Sequence, residues 1–263
     1  MKTNWKLIGV LVLLTFALPA CAGTFINGDF ATGDFTGWTR GGGYWYGGWP
    51  LNPVSYLPGG SNYVGDVNGP FSPPWASAVV TGYWDPLTDN NLYSVLSGQT
   101  YSARINDSYN NYSVSVISQS VKNYTDPAIY FAWAAVLQGS HGLTDSDNFT
   151  LVLTDDTTLA TVYSASYNSA SAAGTSLFTL ASSGWYYTKW QLETINVNGL
   201  QGHDFTLTLL GSDCPYGGHA GYVYMSGFGN VIPPGTTPEP GTLVLLGTGA
   251  IGLAGVVRRK LRL

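Results

Sequence analysis

The stretches Phe149-Thr150-Leu151-Val152-Leu153 and Phe205-Thr206-Leu207-Thr208-Leu209 decide the fold, because each places a large apolar residue at every second position. A period of two puts these side chains on one face of a β-strand. Tyr112–Val116 alternates in the same way, and Tyr222–Met225 is a further β-rich run. Turns rich in glycine, asparagine and aspartate separate the runs, so the sequence predicts an all-β protein, an antiparallel sandwich.

The middle of the chain, residues 23–232, is long enough for one large β-sandwich domain. Within it, Trp133–Gln138 is an apolar run, and Trp190 immediately precedes another predicted strand. Two segments lack the alternation and are predicted to be long loops: residues 41–74, rich in glycine, proline and aromatics, and residues 164–175, rich in serine and alanine.

The charge of the body excludes one class of partner. Residues 23–237 hold four basic and fourteen acidic residues, a formal net charge of −10, against −5 for the whole chain. Nucleic-acid binding requires a basic surface for the phosphates, so no nucleic-acid partner is expected. Thirteen of these acids are aspartate, a residue that favours turns and oxygen-ligand cation sites over helical ion-pair ladders.

The N-terminus, residues 1–22, has the pattern of a secretory signal peptide. Two lysines precede an apolar stretch, Leu7–Leu18, and Ala20–Ala22 then offers a cleavage site of small residues. Export through the Sec translocon follows from this pattern. An alternative is a lipoprotein in which Cys21 carries lipid, because the residues before it resemble a lipobox.

The C-terminus is predicted to reach the inner membrane through a transmembrane helix. Residues 242–257 carry no charge and would form a helix about 24 Å long, short for a bilayer core of about 30 Å but able to span it. The basic residues Arg258, Arg259 and Lys260 follow it and should stay cytoplasmic, which places the body in the periplasm. Residues 233–237 form a short stiff linker before this segment.

The last segment, residues 238–263, joins three features in order: Pro238, Glu239 and Pro240, then the apolar helix, then the basic cluster. It resembles the PEP-CTERM sorting signal. The resemblance implies an exosortase-type membrane peptidase that processes or transfers the protein at Pro-Glu-Pro, and a destination on the cell surface or in the extracellular matrix of an exopolysaccharide producer. A plain membrane anchor is the alternative, and it leaves Pro-Glu-Pro unexplained.

The body shows a second resemblance. Phe25–Phe30 and Gly33–Trp38 resemble the opening strand of galactose-binding-like jelly rolls, and Leu96–Tyr101 resembles the start of a later strand in them. Asp213–Tyr222 is similar to the terminal strands of adhesin-like modules. These resemblances imply a jelly-roll β-sandwich of the kind found in carbohydrate-binding modules and bacterial surface proteins.

An aromatic loop is the candidate ligand site. Tyr44, Trp45, Tyr46 and Trp49 stand among glycines, and exposed aromatic rings stack on the faces of sugar rings and mark interaction sites. The alternative is that these rings close the open end of the sandwich as packing residues.

Calcium is the candidate structural cation, and no other cofactor is expected. Asp29, Asp66 and Asp213 lie in turns flanked by glycine or asparagine, and carboxylates in such turns suit Ca²⁺. Solvated turn aspartates are the alternative. Met225 and Ser226 stand where modules of this kind usually place a calcium-linked aspartate. Zinc is not expected, because one body cysteine and three scattered histidines lack ligand spacing.

The sequence favours a non-catalytic binding or adhesion module associated with exopolysaccharide. Glu193 is the single glutamate of the body, and no local pair of carboxylates suggests glycoside hydrolysis. No nucleophile elbow of the G-x-S-x-G type occurs either. A secreted polysaccharide-active enzyme and a purely structural surface protein without a ligand remain the two alternatives.

Overall fold

A computed structural model describes residues 23–65, 76–139 and 141–233 of the protein. The predicted signal peptide, the sorting motif, the basic cluster and the predicted transmembrane helix all lie outside the described residues. No helix within these described ranges is long and apolar enough to cross a membrane.

The described residues form twelve strands and almost no helix, which confirms the all-β prediction. The strands are β1 Thr39–Tyr44, β2 Ala78–Thr81, β3 Tyr101–Ile105, β4 Ser113–Tyr124, β5 Ala128–Gln138, β6 Asn148–Asp155, β7 Ala160–Asn168, β8 Thr179–Leu180, β9 Trp185–Tyr187, β10 Gln191–Asn196, β11 His203–Ser212 and β12 Gly221–Gly229. One turn of α-helix, α1 (Ser169–Ala172), and two 3-10 turns, Pro53–Tyr56 and Pro86–Thr88, complete the described elements.

These strands form two antiparallel sheets. The first has the order β1-β4-β11-β6-β7. The second has the order β2-β3-β12-β5-β9-β8, and β10 pairs with the first half of β5. The two sheets pack face to face, as in a β-sandwich with an interior of apolar side chains.

The alternating stretches of the sequence form the centre of the first sheet. Leu207 and Leu209 of β11 lie opposite Leu153 and Leu151 of β6, and all four side chains are fully buried. Trp133 of β5 belongs to the same core cluster from the second sheet, and its ring lies 4.7 Å from that of Phe149 of β6. Burial of each such side chain contributes about 1.5–3 kcal/mol to folding.

Strand β5 is buried on both faces. Phe131 and Trp133 belong to the core between the sheets, whereas Ala134 and Val136 belong to a second apolar cluster with Tyr222 and Tyr224 of β12. Leu92, from the segment between β2 and β3, covers this second cluster. A strand covered on both faces reads as a continuous apolar run, which explains the composition of Trp133–Gln138.

The prediction of a loop over residues 41–74 is wrong at its start. Gly41, Gly42 and Gly43 lie within β1 and pair with β4. The 3-10 turn packs directly on the backbone of Gly41. A Cβ at this position would overlap the carbonyl oxygen of Tyr56, so only glycine fits here. The glycines therefore mark a strand that another segment crosses closely.

The prediction of a loop over residues 164–175 is also wrong at its start. Strand β7 continues to Asn168, and α1 follows it directly. Tyr163 and Tyr167 pack against the core while Ser164 and Ser166 face solvent. The side chains of β7 do alternate between core and solvent. The alternation is hard to detect in the sequence because the residues on the solvent face are small.

Candidate functional site

The strands of the sandwich end at two opposite rims. β1 ends at Tyr44, β11 ends at Ser212 and β12 begins at Gly221 on one end, which we call the Tyr46 rim. On the other end, β12 finishes beside the N-terminal turn, where the Phe228 amide donates to the Gly28 carbonyl at 3.0 Å. We call this end the Gly28 rim.

The predicted aromatic loop lies at the Tyr46 rim, and its four residues have different environments. Trp45 is 2% exposed and packs with Leu51, Tyr56 and Val114 in a small apolar cluster. Its ring is therefore not open to a ligand, and for Trp45 the packing alternative describes the structure. Trp49 is half-buried against the same cluster.

Tyr44, Tyr46 and Tyr112 form a row of rings at this rim. Tyr46 is 70% exposed, and its ring centroid lies 6.2 Å from that of Tyr44 and 5.0 Å from that of Tyr112. Tyr112 holds a positive φ of 69° at the start of β4, a conformation uncommon for a bulky residue. Tyr46 is the exposed ring of the row, and Tyr44 and Tyr112 are half-buried beside it. The sequence did not single out Tyr112 as a site residue.

The three predicted calcium ligands do not form one site. Asp29 is at the Gly28 rim, Asp213 is at the Tyr46 rim, and Asp66 lies outside the described residues. Asp213 shares Asn106 with the start of β12, whereas Asp29 sits beside its end. The two ends of β12, Gly221 and Gly229, are eight residue steps apart, a distance of about 26 Å. The calcium prediction thus stays a prediction for each aspartate separately.

Asp213 is fully buried and accepts hydrogen bonds on both carboxylate oxygens. Oδ1 accepts from Asn106 Nδ2 at 2.9 Å, and Oδ2 accepts from the amides of Asn111 and Ser113 at 2.9 and 3.0 Å. Burial raises the pKa of Asp213 to about 7, and these hydrogen bonds oppose the rise. The carboxylate fastens the loop before β4 to the end of β11 (Ser212).

Asp147 is a second buried acid, just before β6. Its Oδ1 accepts from Ser169 Oγ at 2.7 Å, whereas its Oδ2 has no hydrogen-bond partner among the described residues. Burial raises the pKa of Asp147 well above 3.8. The carboxyl group of Asp147 therefore binds its proton more tightly in the folded protein than in the unfolded chain.

We expect Asp147→Asn to be stabilising at alkaline pH. Because the pKa of Asp147 is higher in the folded protein than its ordinary value of 3.8, its protonation contributes to stability most fully below pH 3.8. That contribution is lost as the pH rises towards the pKa in the folded state. The amide keeps the Ser169 contact and removes the buried charge, so the free energy of unfolding at pH 8 should rise by about 1–3 kcal/mol. Urea unfolding of the full-length protein in detergent at pH 5 and pH 8 measures this, with the exposed Asp29→Asn as control. Equal gains at both pH values would contradict it.

A groove lies on the outer face of the second sheet, beneath the segment between β2 and β3. Its cavity of about 280 Å³ is lined by Tyr83, Asp85, Pro86, Leu87, Arg104, Ser108 and Tyr222. Asp85 Oδ2 accepts from the hydroxyls of Tyr222 and Tyr224 at 2.6 and 2.8 Å, and the Tyr83 and Tyr224 hydroxyls are 2.6 Å apart. Burial, with Asp85 close by, raises the pKa of Tyr222 and Tyr224, so both hydroxyls remain donors.

The segment that covers this groove also carries two exposed aromatic rings, which do not line the cavity itself. Trp84 and Tyr93 are 58% and 41% exposed and meet edge to face at 5.1 Å. Trp190 Nε1 donates to the Tyr93 carbonyl at 2.9 Å, which fixes the pair on the sheet. Arg104 lies over the Tyr222 ring at 6.0 Å and donates Nε to the Asn106 carbonyl. Sequence reasoning missed Tyr93 and Arg104. An isolated bridge brings Tyr93 to Trp84, and the folding of this segment over β3 brings Arg104 to Tyr83.

The fold also joins three residues that sequence spacing kept apart. The ligating atoms of His141, Cys214 and His219 all lie within 4.8 Å of one another at the Tyr46 rim. Cys214 is the buried member and has no disulfide partner among the described residues. Burial, together with His141 close by, lowers the pKa of His219.

Comparison with known proteins places a sorting motif at the C-terminus. Residues 236–260 match the model of the PEP-CTERM protein-sorting motif, which implies export, membrane-anchored processing by an exosortase-type system, and a surface location. A search of curated proteins finds no match.

Solved structures similar to the body include carbohydrate-binding modules and adhesin domains. TmCBM61, in complex with β-1,4-galactotriose, is 12% identical, with 78% of this chain and 96% of that chain covered and a TM-score of 0.40. A CBM28 module specific for non-crystalline cellulose is 12% identical, with 79% and 94% covered and a TM-score of 0.38. The K3 cleaved adhesin domain of Lys-gingipain from Porphyromonas gingivalis is 10% identical, with 78% and 97% covered and a TM-score of 0.29. This chain thus carries a PEP-CTERM protein-sorting motif behind a β-sandwich body that is similar to these modules.

Proposed function

We propose that the protein is an exported surface protein whose body binds carbohydrate without cleaving it and associates with exopolysaccharide. The observation that carries this proposal is the groove on the second sheet, whose polar groups are fixed by hydrogen bonds and whose covering segment presents two exposed aromatic rings. The sorting motif supports a location of the protein at the cell surface, where exopolysaccharide is present.

The groove has both kinds of contact that sugar binding uses. Trp84 and Tyr93 offer aromatic faces for the apolar side of a sugar ring. Arg104 and the Tyr83 hydroxyl offer hydrogen-bonding groups at the cavity wall. A cavity of about 280 Å³ is at the small end of ligand pockets, which suits one or two sugar rings of a longer chain.

The row of Tyr44, Tyr46 and Tyr112 is the second surface for the same function. Its rings are spaced 6.2 and 5.0 Å apart along the Tyr46 rim, so a chain of sugar rings could lie across them. Two separate surfaces on one body would bind a polysaccharide more tightly than either alone.

The absence of catalysis in this proposal rests on the carboxylates. Glycoside hydrolysis uses two carboxyl groups facing one bond. Among the described residues that line the groove, Asp85 is the one carboxylate, and two tyrosine hydroxyls and the Leu87 amide occupy it. Asp85 therefore orients the two tyrosine hydroxyls, and it faces no second carboxyl group in the groove.

Binding is tested with the full-length protein in detergent, on the producer's exopolysaccharide and on a panel of soluble glycans. We expect saturable binding without release of sugar. Trp84→Ala should weaken it about ten-fold, and Tyr46→Ala should weaken binding of long chains more than of short ones. Leu159→Ala is the matched control, because Leu159 is an exposed apolar residue in the turn between β6 and β7 at the Gly28 rim.

Each alternative gives a different result in this experiment. Released reducing sugar would contradict the non-catalytic proposal and favour a polysaccharide-active enzyme. No binding to any glycan would leave a structural surface protein without a ligand. Binding that both variants retain at full strength would place the carbohydrate elsewhere on the body.

A further inference from the structure

The three residues His141, Cys214 and His219 meet although 73 positions separate the first from the second. Cys214 Sγ lies 3.7 Å from His219 Nδ1. The rings of His141 and His219 are 4.8 Å apart and nearly perpendicular, at 82°. The ligating atoms of all three residues fall within 4.8 Å of one another.

Two neighbouring loops hold these side chains in place. His141 comes after β5, and Cys214 and His219 lie in the turn between β11 and β12. That turn is closed by the Cys214 amide, which donates to the His219 carbonyl at 3.0 Å, and by Gly217, whose amide donates to the Cys214 carbonyl at 3.2 Å. β5 and β12 are paired neighbours, with Leu137 opposite Gly221, so the two loops leave the sheet side by side.

The spacing fits a tetrahedral transition-metal ion. Zinc takes sulfur at about 2.3 Å and nitrogen at about 2.0–2.1 Å, which puts neighbouring ligand atoms about 3.3–3.7 Å apart. The Sγ–Nδ1 distance of 3.7 Å already has this value. His141 is the exposed member of the group, so a rotation of its side chain can close the remaining gap of about 1 Å without disturbing the core.

The donor set selects the class of ion. One thiol and two imidazoles suit zinc and similar divalent d-block ions, whereas calcium takes oxygen ligands. The Gly218 amide donates to Cys214 Sγ at 3.4 Å, a contact that orients the sulfur as a ligand. The other description of this cluster is a buried thiol hydrogen-bonded to a histidine, with the His141 ring packed edge to face against the Tyr216 ring at 5.0 Å.

We propose that His141, Cys214 and His219 bind one divalent d-block cation, with zinc the preferred ion and the fourth coordination position open to solvent. The ion joins the loop after β5 to the turn between β11 and β12. It lies at the same rim as the tyrosine row, because a Cβ at Gly217 would overlap the Tyr112 ring. The metal would thereby fix the loop against which Tyr112 packs.

The test uses full-length protein without a polyhistidine tag, stripped with a chelator and kept reduced. Co²⁺ serves as the spectroscopic probe for the zinc site, and Zn²⁺ displaces it in competition. We expect one Co²⁺ per chain with a thiolate charge-transfer band. Cys214→Ser should abolish the band, and His141→Ala should weaken binding more than about 100-fold. His141 is exposed, so this variant keeps its fold, which circular dichroism verifies.

The remaining histidine supplies the control. His203 pairs with Asp155 at 2.8 Å at the Gly28 rim, so His203→Gln should bind Co²⁺ like the wild type. Equal binding by His141→Ala, His219→Ala and wild type would overturn the proposal, as would no binding of Co²⁺ or Zn²⁺ at micromolar concentrations. Binding of Ca²⁺ that is lost in His141→Ala would overturn the selectivity for d-block ions.

Discussion

Trp45→Ala should lower the free energy of unfolding by about 3–5 kcal/mol, because the indole is 2% exposed and leaves a cavity when it is removed. The ring fills the space between the start of β4, at Val114, and the 3-10 turn, at Tyr56. Urea unfolding of the full-length protein measures the loss. We expect a lower transition midpoint with little change in slope.

Two variants frame that experiment. Trp45→Phe retains most of the buried ring and removes an indole N–H that has no partner within the part of the chain that the structure describes, so its cost should be about 1 kcal/mol or less. Tyr46→Ala removes a ring that is 70% exposed and should leave the midpoint unchanged. If Trp45→Ala reduced glycan affinity while leaving the midpoint alone, Trp45 would belong to the ligand surface after all.

Gly28→Ala should destabilise the protein by about 3 kcal/mol or more, an effect that its single added methyl group would not suggest. A Cβ at Gly28 would overlap the carbonyl oxygen of Phe228, which is backbone and cannot rotate away. The N-terminal turn would have to separate from β12, with loss of the Phe228–Gly28 hydrogen bond and of the contact between Phe25 and Phe228, whose rings are 4.1 Å apart.

Gly229→Ala provides the comparison, because Gly229 is the last residue of β12, the strand against which the N-terminal turn packs. A Cβ at Gly229 meets nothing within 4 Å, so its cost should stay within about 0.5 kcal/mol. Thermal unfolding of the two variants side by side separates close backbone approach from a general intolerance of alanine near the end of β12. Similar stabilities for the two would mean that the turn moves freely.

The fold could be read from the sequence where one face of a strand is buried and the other is polar. Phe149, Leu151 and Leu153 are such a case, and they are the buried side of β6. The rule fails where backbone packs on backbone, as at Gly41, because no side chain records the contact. It also fails at β7, whose solvent face carries serine and alanine in place of charged residues.

The candidate sites were harder to predict because they are assembled across the sheets. The sequence named Tyr46 and its neighbour Trp45 alike as candidate ligand residues, and it could not show that Tyr46 is exposed whereas Trp45 is buried. Whether a residue in an irregular loop points in or out depends on a backbone course that has no period. The cluster of His141, Cys214 and His219 depends on the pairing of β5 with β12, which no local spacing encodes.

The place where the chain leaves the sandwich determines how the body resists a pull. β12 ends at Gly229, and the described chain runs on to Pro233 at the Gly28 rim, while the tyrosine row stands at the opposite rim. A load held between a bound polysaccharide and the C-terminal tether would therefore act along β12. That strand lies between β3 and β5, and its hydrogen bonds run across the direction of the load. Under a load along the strand, these hydrogen bonds would be sheared and would break together. A force across the strand would break them one after another.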